Sequence, residues 1–192
     1  MTEKKWYLFL YNLTYPIGKL LFPSRFYGRE NVPEGAALIC PIHSSNVDPF
    51  LVSHAMGKQH FCRHMAKDEL RKVPVFGKIM EKAGSIFVRR GEQDIEGYRR
   101  SIRALKAGEK LMVFPEGTRV HGGDETDAKT GVIRMAAKTH VPLVPVYIPR
   151  DKKLFHRINI VIGEPYYIEN AAHGDYERLA EELMDRIWAL KR

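Results

Sequence analysis

Apolar positions along this chain fall into two patterns, short continuous runs and longer stretches with a helical period. Runs at 36–40, 60–65, 85–88, 110–114, 143–148 and 158–162 read as strands, and a further strand is expected at 26–30. Helical stretches lie between them. The clearest covers 92–106, where Ile95, Tyr98, Ile102 and Leu105 share a face. Glu92, Asp94 and Glu96 stand at its start, Arg103 and Lys106 at its end, and Gly108 follows, as the helix dipole and C-cap preferences require. Asp48-Pro49 reads as a helix start running to about Met56 and stopped by Gly57. Further helices are expected at 75–82 and 130–138. A closing amphipathic helix at 176–190 turns Tyr176, Leu179, Leu183, Ile187 and Leu190 inward. The alternation predicts an α/β fold: one domain with a mixed, mostly parallel sheet flanked by helices.

The N-terminus differs. Lys4 and Lys5 precede the apolar, aromatic run Trp6 to Tyr11, and Asn12, Thr14, Pro16, Gly18 and Lys19 then interrupt it. Pro16 predicts a break, giving an amphipathic two-helix segment at 4–13 and 16–22. A membrane span needs roughly 20 apolar residues, so this segment is too broken to cross a bilayer. Its aromatic content and basic flank fit a position in the interface; packing on its own core is the alternative. No small-residue cleavage site follows, so export is not expected. The expected division is residues 1–24 as interfacial membrane-binding helices and 25–192 as the main α/β domain.

Composition adds little until charge is considered. The 192 residues are 44% hydrophobic and 28% charged, ordinary globular values. The net charge of +8 suits a polyanionic partner: nucleic acid, an anionic membrane surface or a phosphorylated substrate. A nucleic-acid binder would carry a basic stripe with interleaved aromatics, and none is present, so no nucleic-acid partner is expected. Cys40 and Cys62 form no CxxC pair and lie in apolar runs, so they read as buried thiols, and Cys40 has no base beside it in sequence. The histidines show no ligand spacing, so neither a metal nor another cofactor is expected.

Two segments after predicted strands carry candidate chemistry. The first runs His43-Ser44-Ser45-Asn46-Val47-Asp48. A histidine near neutral pH is a suitable base, and a carboxylate on its second ring nitrogen fixes the tautomer. Residues five apart share no helical face, so His43 and Asp48 meet only if a turn precedes the helix. Otherwise Asp48 is a cap and His43 a loop residue. The second segment is Phe114-Pro115-Glu116-Gly117-Thr118-Arg119. Gly117 permits close backbone approach, and Thr118 and Arg119 suit a phosphate. Glu116 would repel an anion unless it pairs with Arg119 or binds a hydroxyl.

Together these segments resemble the glycerolipid acyltransferase family. Its His-x4-Asp motif stands at His43 to Asp48 and its Phe-Pro-Glu-Gly-Thr-Arg motif at 114–119. A Gly-x-Ile-Phe-Val-x-Arg strand runs from Gly84 to Arg90, and an apolar Val-Pro-Leu-Val-Pro-Val motif occupies 141–146. The order is the family's, and the resemblance covers about residues 35–150. Ile42, Arg89 and Val120 depart from the family's usual Asn, acidic residue and Ser.

The resemblance implies an acyltransferase acting on the sn-2 hydroxyl of 1-acylglycerol-3-phosphate (lysophosphatidic acid), making phosphatidic acid in phospholipid biosynthesis. Acyl-CoA or acyl carrier protein would be the donor, and no covalent acyl-enzyme is implied. His43 would be the base and Asp48 its orienter. Arg90, Arg119, Glu116 and Gly117 would serve the acceptor site, with Thr118, Lys67 and Lys129 as further candidates. The place would be the cytoplasmic face of the membrane, bound peripherally. The rival readings are an enzyme for another lysophospholipid or for glycerol 3-phosphate, and a basic binding module without catalysis.

Overall fold

The computed structural model describes residues 1–89, 94–119, 129–169 and 174–192. Its strands are β1 (Ser24–Tyr27), β2 (Leu38–Pro41), β3 (Cys62–Lys67), β4 (Ile86–Val88), β5 (Lys110–Met112), β6 (Leu143–Tyr147) and β7 (Ile158–Ile162). Its α-helices are α1 (Glu3–Leu21), α2 (Asp48–Met56), α3 (Phe76–Lys82), α4 (Ile95–Lys106), α5 (Gly131–Thr139) and α6 (Tyr176–Ala189). The strands form one sheet in the order β1-β7-β6-β2-β5-β3-β4. Neighbours run parallel except β6 and β7, which are antiparallel. The mixed, mostly parallel sheet of one α/β domain is therefore as the sequence pattern predicts.

Every residue of β2 and β6 is buried, because helices cover both faces of the central strands. α4 packs over β4 and β5, α6 over β6, and α5 lies against both helices. In α6, Leu183 and Ile187 are buried, and Tyr176, Leu179 and Leu190 pack at the margin of the core. α4 follows its predicted face at Ile102 and Leu105 but leaves Ile95 exposed at its first residue. Asp94 caps α4 by accepting the Gly97 N–H at 2.9 Å; Glu92 lies outside the described residues. β1 lies earlier than expected, because Gly28 takes a left-handed φ of 72° and a 3-10 turn, Arg29–Asn31, follows.

The N-terminal expectation needs correction. One helix, α1, runs through Pro16 where two were expected. Proline removes one backbone donor, but Asn12 and Pro16 both lie on the exposed side, where water can take the freed carbonyl. The opposite side is docked by tertiary bonds in the turns before Pro16, and Gly18 lies against His54 just after it. Tyr7 and Tyr11 donate their hydroxyls to the carbonyls of His60 (3.1 Å) and His54 (3.3 Å). Thr14 Oγ1 lies 3.0 Å from His54 Nε2. These contacts outweigh the local break.

Burial holds His54 and His64 down at about 4, helped at His54 by Lys19. The ordinary value is 6.5, so the unfolded chain takes up protons first as the pH falls. The stability these two residues contribute is thus present above pH 6.5 and lost progressively towards about 4. Thermal unfolding should show the melting temperature dropping through this window, and a His54→Asn, His64→Gln double variant should flatten that slope. An equally steep slope in the variant would mean that other groups cause it.

Candidate active site

Parallel topology brings the motif segments together. β6, β2, β5 and β3 are consecutive and parallel, so their carboxyl ends share one edge of the sheet. His43 follows β2, Phe114 to Arg119 follow β5, Lys67 ends β3, and Pro149 to Lys152 follow β6.

The chain after β2 curls around one carboxylate. Asp48 Oδ2 accepts the backbone N–H groups of Ser44 (2.8 Å) and Ser45 (2.7 Å) and lies 3.1 Å from His43 Nδ1. This turn lets residues five apart meet. Asp48 does not cap α2: the N–H groups it binds precede it, and the cap position is Val47, which makes no side-chain cap bond. An ionised carboxylate only accepts, so a neutral His43 ring carries its proton on Nδ1 and keeps a lone pair on Nε2. The His43 ring stacks on Phe114 at 3.9 Å between centroids, which fixes its plane.

Asp48 is wholly buried, and its carboxyl sits below the ordinary range. Burial pushes it up, but hydrogen bonding from His43, the charge of the Lys152 ammonium and the Ser44 N–H together outweigh that. Lys152 Nζ is 2.9 Å from Asp48 Oδ1, an ion pair without the alignment of a hydrogen bond. Glu116 is the second buried carboxylate. It accepts the His43 backbone N–H at 2.6 Å and pairs with Arg150 at 2.6 Å. The Arg150 guanidinium in turn lies over the Trp188 ring of α6.

The expected acceptor residues are dispersed around this centre. Arg119 is exposed, donates to Asn46 Oδ1 at 3.0 Å, and lines the same 480 Å³ cavity as His43. Lys67 lines that cavity too and pairs with Glu69 at 2.9 Å. Gly117 takes a φ of 67°, and a Cβ there would meet Lys129 Cγ at 3.0 Å. Lys129 donates its backbone N–H to Pro115 and, with Gly117, lines a neighbouring 170 Å³ cavity. Thr118 is exposed. Glu116 is turned inward to the pairing just described and does not pair with Arg119. Arg90 lies outside the described residues.

Sequence reading missed Arg150 and Lys152. They lie more than 100 residues from His43, in a Pro-Arg-Asp-Lys stretch with no signature of its own. The one available signal was that two buried carboxylates would need two cations. Cys40 and Cys62 are buried free thiols; burial pushes Cys40 far up and Cys62 to about 12, so neither is a ready nucleophile. Among the described residues no group of three or more His, Cys, Asp or Glu could hold a metal ion.

The large cavity runs from His43, Phe114 and Arg119 to an apolar wall that includes Leu10 and Tyr11 of α1 and Phe76 and Met80 of α3. The site thus brings an imidazole and an exposed cation to one cavity with an apolar wall. It can activate a hydroxyl next to an anionic group on an amphiphilic molecule.

Comparison with known proteins agrees with this chemistry. A family model described as Acyltransferase matches residues 23–149. The 1-acyl-sn-glycerol-3-phosphate acyltransferase of Bacillus subtilis is 31% identical over 178 residues, 87% of each chain. A probable enzyme of the same name from Mycoplasma pneumoniae is 35% identical over 124 residues, 62% of this chain and 46% of the relative, so the chain spans about half its length. The crystal structure of the 1-acyl-sn-glycerophosphate acyltransferase PlsC from Thermotoga maritima shares the fold, with a TM-score of 0.69 at 24% identity, over 98% of this chain and 76% of that one.

Proposed function

Because this chain belongs to the acyltransferase family, we propose that it acylates the sn-2 hydroxyl of 1-acylglycerol-3-phosphate, forming phosphatidic acid from an acyl thioester. The observation that carries this reading is the His43–Asp48 pair at one end of an apolar cavity that Arg119 also lines.

His43 Nε2 takes the proton of the acceptor hydroxyl as its oxygen attacks the thioester carbonyl. The new C–O ester bond forms as the C–S bond breaks. The thiolate leaves, and the imidazolium returns its proton to it. Asp48 stabilises the imidazolium without itself accepting the proton. Glu116 acts indirectly, holding the His43 backbone through its N–H. Arg119 binds the acceptor phosphate, and acyl chains occupy the groove beneath α1. The donor is acyl-CoA or acyl carrier protein.

The same reading extends to the membrane. No helix among the described residues is long and apolar enough to cross a bilayer. On α1, however, Phe9, Leu13, Ile17 and Leu20 form an exposed stripe at helical spacing, the last 67% exposed. Leu154 and Phe155 lie beside its end, with the Phe155 N–H bonded to the Leu21 carbonyl at 2.6 Å, and Val75 and Phe76 are exposed near the groove. We propose that these residues enter the headgroup region of an anionic bilayer on its cytoplasmic face. Residues 1–24 would be the interfacial element and 25–192 would carry the chemistry. Tyr7 and Tyr11 show that α1 is also part of the fold, so its outer face can be altered while its inner face stays docked.

Three outcomes test this. His43→Ala and Asp48→Asn should each lower kcat by about 10²–10⁴-fold in folded protein, as mass spectrometry of the phosphatidic acid formed would show. Near-normal turnover in His43→Ala would overturn the mechanism.

Arg119→Ala should raise the acceptor KM about tenfold or more and change the donor KM little, since a charge-assisted phosphate contact contributes about 1.5–3 kcal/mol. Glycerol 3-phosphate and other lysophospholipids assayed alongside identify the preferred acceptor.

Phe9→Ser, Leu13→Ser and Ile17→Ser combined should reduce sedimentation with anionic vesicles and slow turnover of vesicle-borne acceptor. A short-chain, water-soluble acceptor should be turned over as before. Undiminished vesicle binding would assign the stripe another role.

A further inference from the structure

Lys152 is a buried ammonium for which the mechanism above has no use. Its side chain is 3% exposed. Nζ donates to Ser44 Oγ at 2.7 Å and the Pro149 carbonyl at 2.6 Å, and faces Asp48 Oδ1 at 2.9 Å. The two oxygens of Asp48 are therefore divided. Oδ2 serves His43 and the turn, while Oδ1 faces a cation.

We propose that Lys152 is a positioning residue for acyl transfer, holding Asp48 as an oriented anion so that the resting His43 stays free to accept the hydroxyl proton. The proposal rests on the reading of His43 as the base.

A carboxylate buried alone is strongly disfavoured, and the pair of His43 and Asp48 could relieve that by holding an extra proton. It would then have no capacity for the hydroxyl proton. A fixed cation on the far oxygen removes the need for that proton. It also lets Asp48 respond when His43 becomes positive during transfer. With the imidazole neutral, His43, Asp48 and Lys152 together carry no net charge. Without Lys152 the pair is negative, and it retains its extra proton to higher pH.

The other charged groups around His43 come from three elements. Glu116 and Arg119 lie on the turn after β5, Arg150 follows β6, and Lys67 ends β3. Glu116 and Arg150 pair with each other, and Lys67 pairs with Glu69. Arg119 is bound to Asn46. Lys152 is thus the cation at ion-pair distance from Asp48 among the described residues.

The test uses the full-length enzyme with an acyl thioester and lysophosphatidic acid, recording kcat/KM between about pH 5 and 9. Lys152→Met keeps the aliphatic stem and removes the charge. Its acid limb should move up by about one pH unit, so that the loss reaches roughly tenfold low on that limb and shrinks as the pH rises. Lys152→Arg should restore the limb. A folded Lys152→Met enzyme whose rate falls equally at every pH would mark the lysine as merely structural and overturn the proposal. Should Lys152→Met alone not fold, the Asp48→Asn, Lys152→Met pair removes both charges at once. Losing Lys152 in the Asp48→Asn background should then cost nothing further, and an additive loss would overturn the proposal. His43→Ala measured beside them separates the two readings. An active His43→Ala enzyme removes the base assignment, whereas an inactive one with an unmoved limb in Lys152→Met removes Lys152 alone.

Discussion

Two carboxylates lie inside this protein at the carboxyl edge of its sheet, and each has a cation from one loop beside it. Asp48 faces Lys152 and Glu116 pairs with Arg150, both cations coming from the stretch after β6. Removing one partner from such a buried pair typically costs about 3–5 kcal/mol, because the remaining charge is left uncompensated. The two pairs also fix geometry. One sets the ring of His43 through Asp48, and the other sets its backbone through Glu116. The histidine is consequently held from its side chain and its main chain by anions that are themselves pinned.

Parallel strand order makes this possible. β2 lies between β6 and β5, so the histidine loop emerges between the loop with the cations and the loop with Glu116 and Arg119. An antiparallel neighbour would send its following loop to the other edge. β7 is such a neighbour of β6, and it contributes none of the site residues described. The sheet thus concentrates residues from distant parts of the chain at one edge while its buried strands resist distortion.

α1 joins the site to its surroundings. Its inner face closes the cavity with Leu10 and Tyr11, and its outer face presents the exposed apolar side chains of Phe9, Leu13, Ile17 and Leu20. A helix apolar on two sides is costly in water unless something covers the second side. On the proposed docking, an amphiphilic acceptor resident in a bilayer would pass α1 to reach His43.

Much of this was legible from residues in order. Strand and helix positions followed from apolar runs and periodicity, because burial between two helical layers demands continuous apolar strands. His43, Asp48 and the Phe114 to Arg119 segment stood out because four motifs occur in the order of the glycerolipid acyltransferase family; the spacing of His43 and Asp48 alone left a cap and a loop residue equally open. Three things were decided only in three dimensions. Pro16 predicted a break, but α1 continues through it, docked before the proline by hydrogen bonds from Tyr7 and Tyr11 that reach more than 40 residues along the chain and after it by the approach of Gly18 to His54. Glu116 looked like an acceptor ligand, whereas its environment turns it inward to Arg150 and the His43 N–H. Arg150 and Lys152 carried no local sign at all, since an ion pair leaves no spacing in sequence when its members lie on different strands' loops. Local periodicity and residue chemistry thus determined most of the elements and the candidate reacting groups. The pairing of buried charges depended on strand order, which brings distant loops within reach of one another.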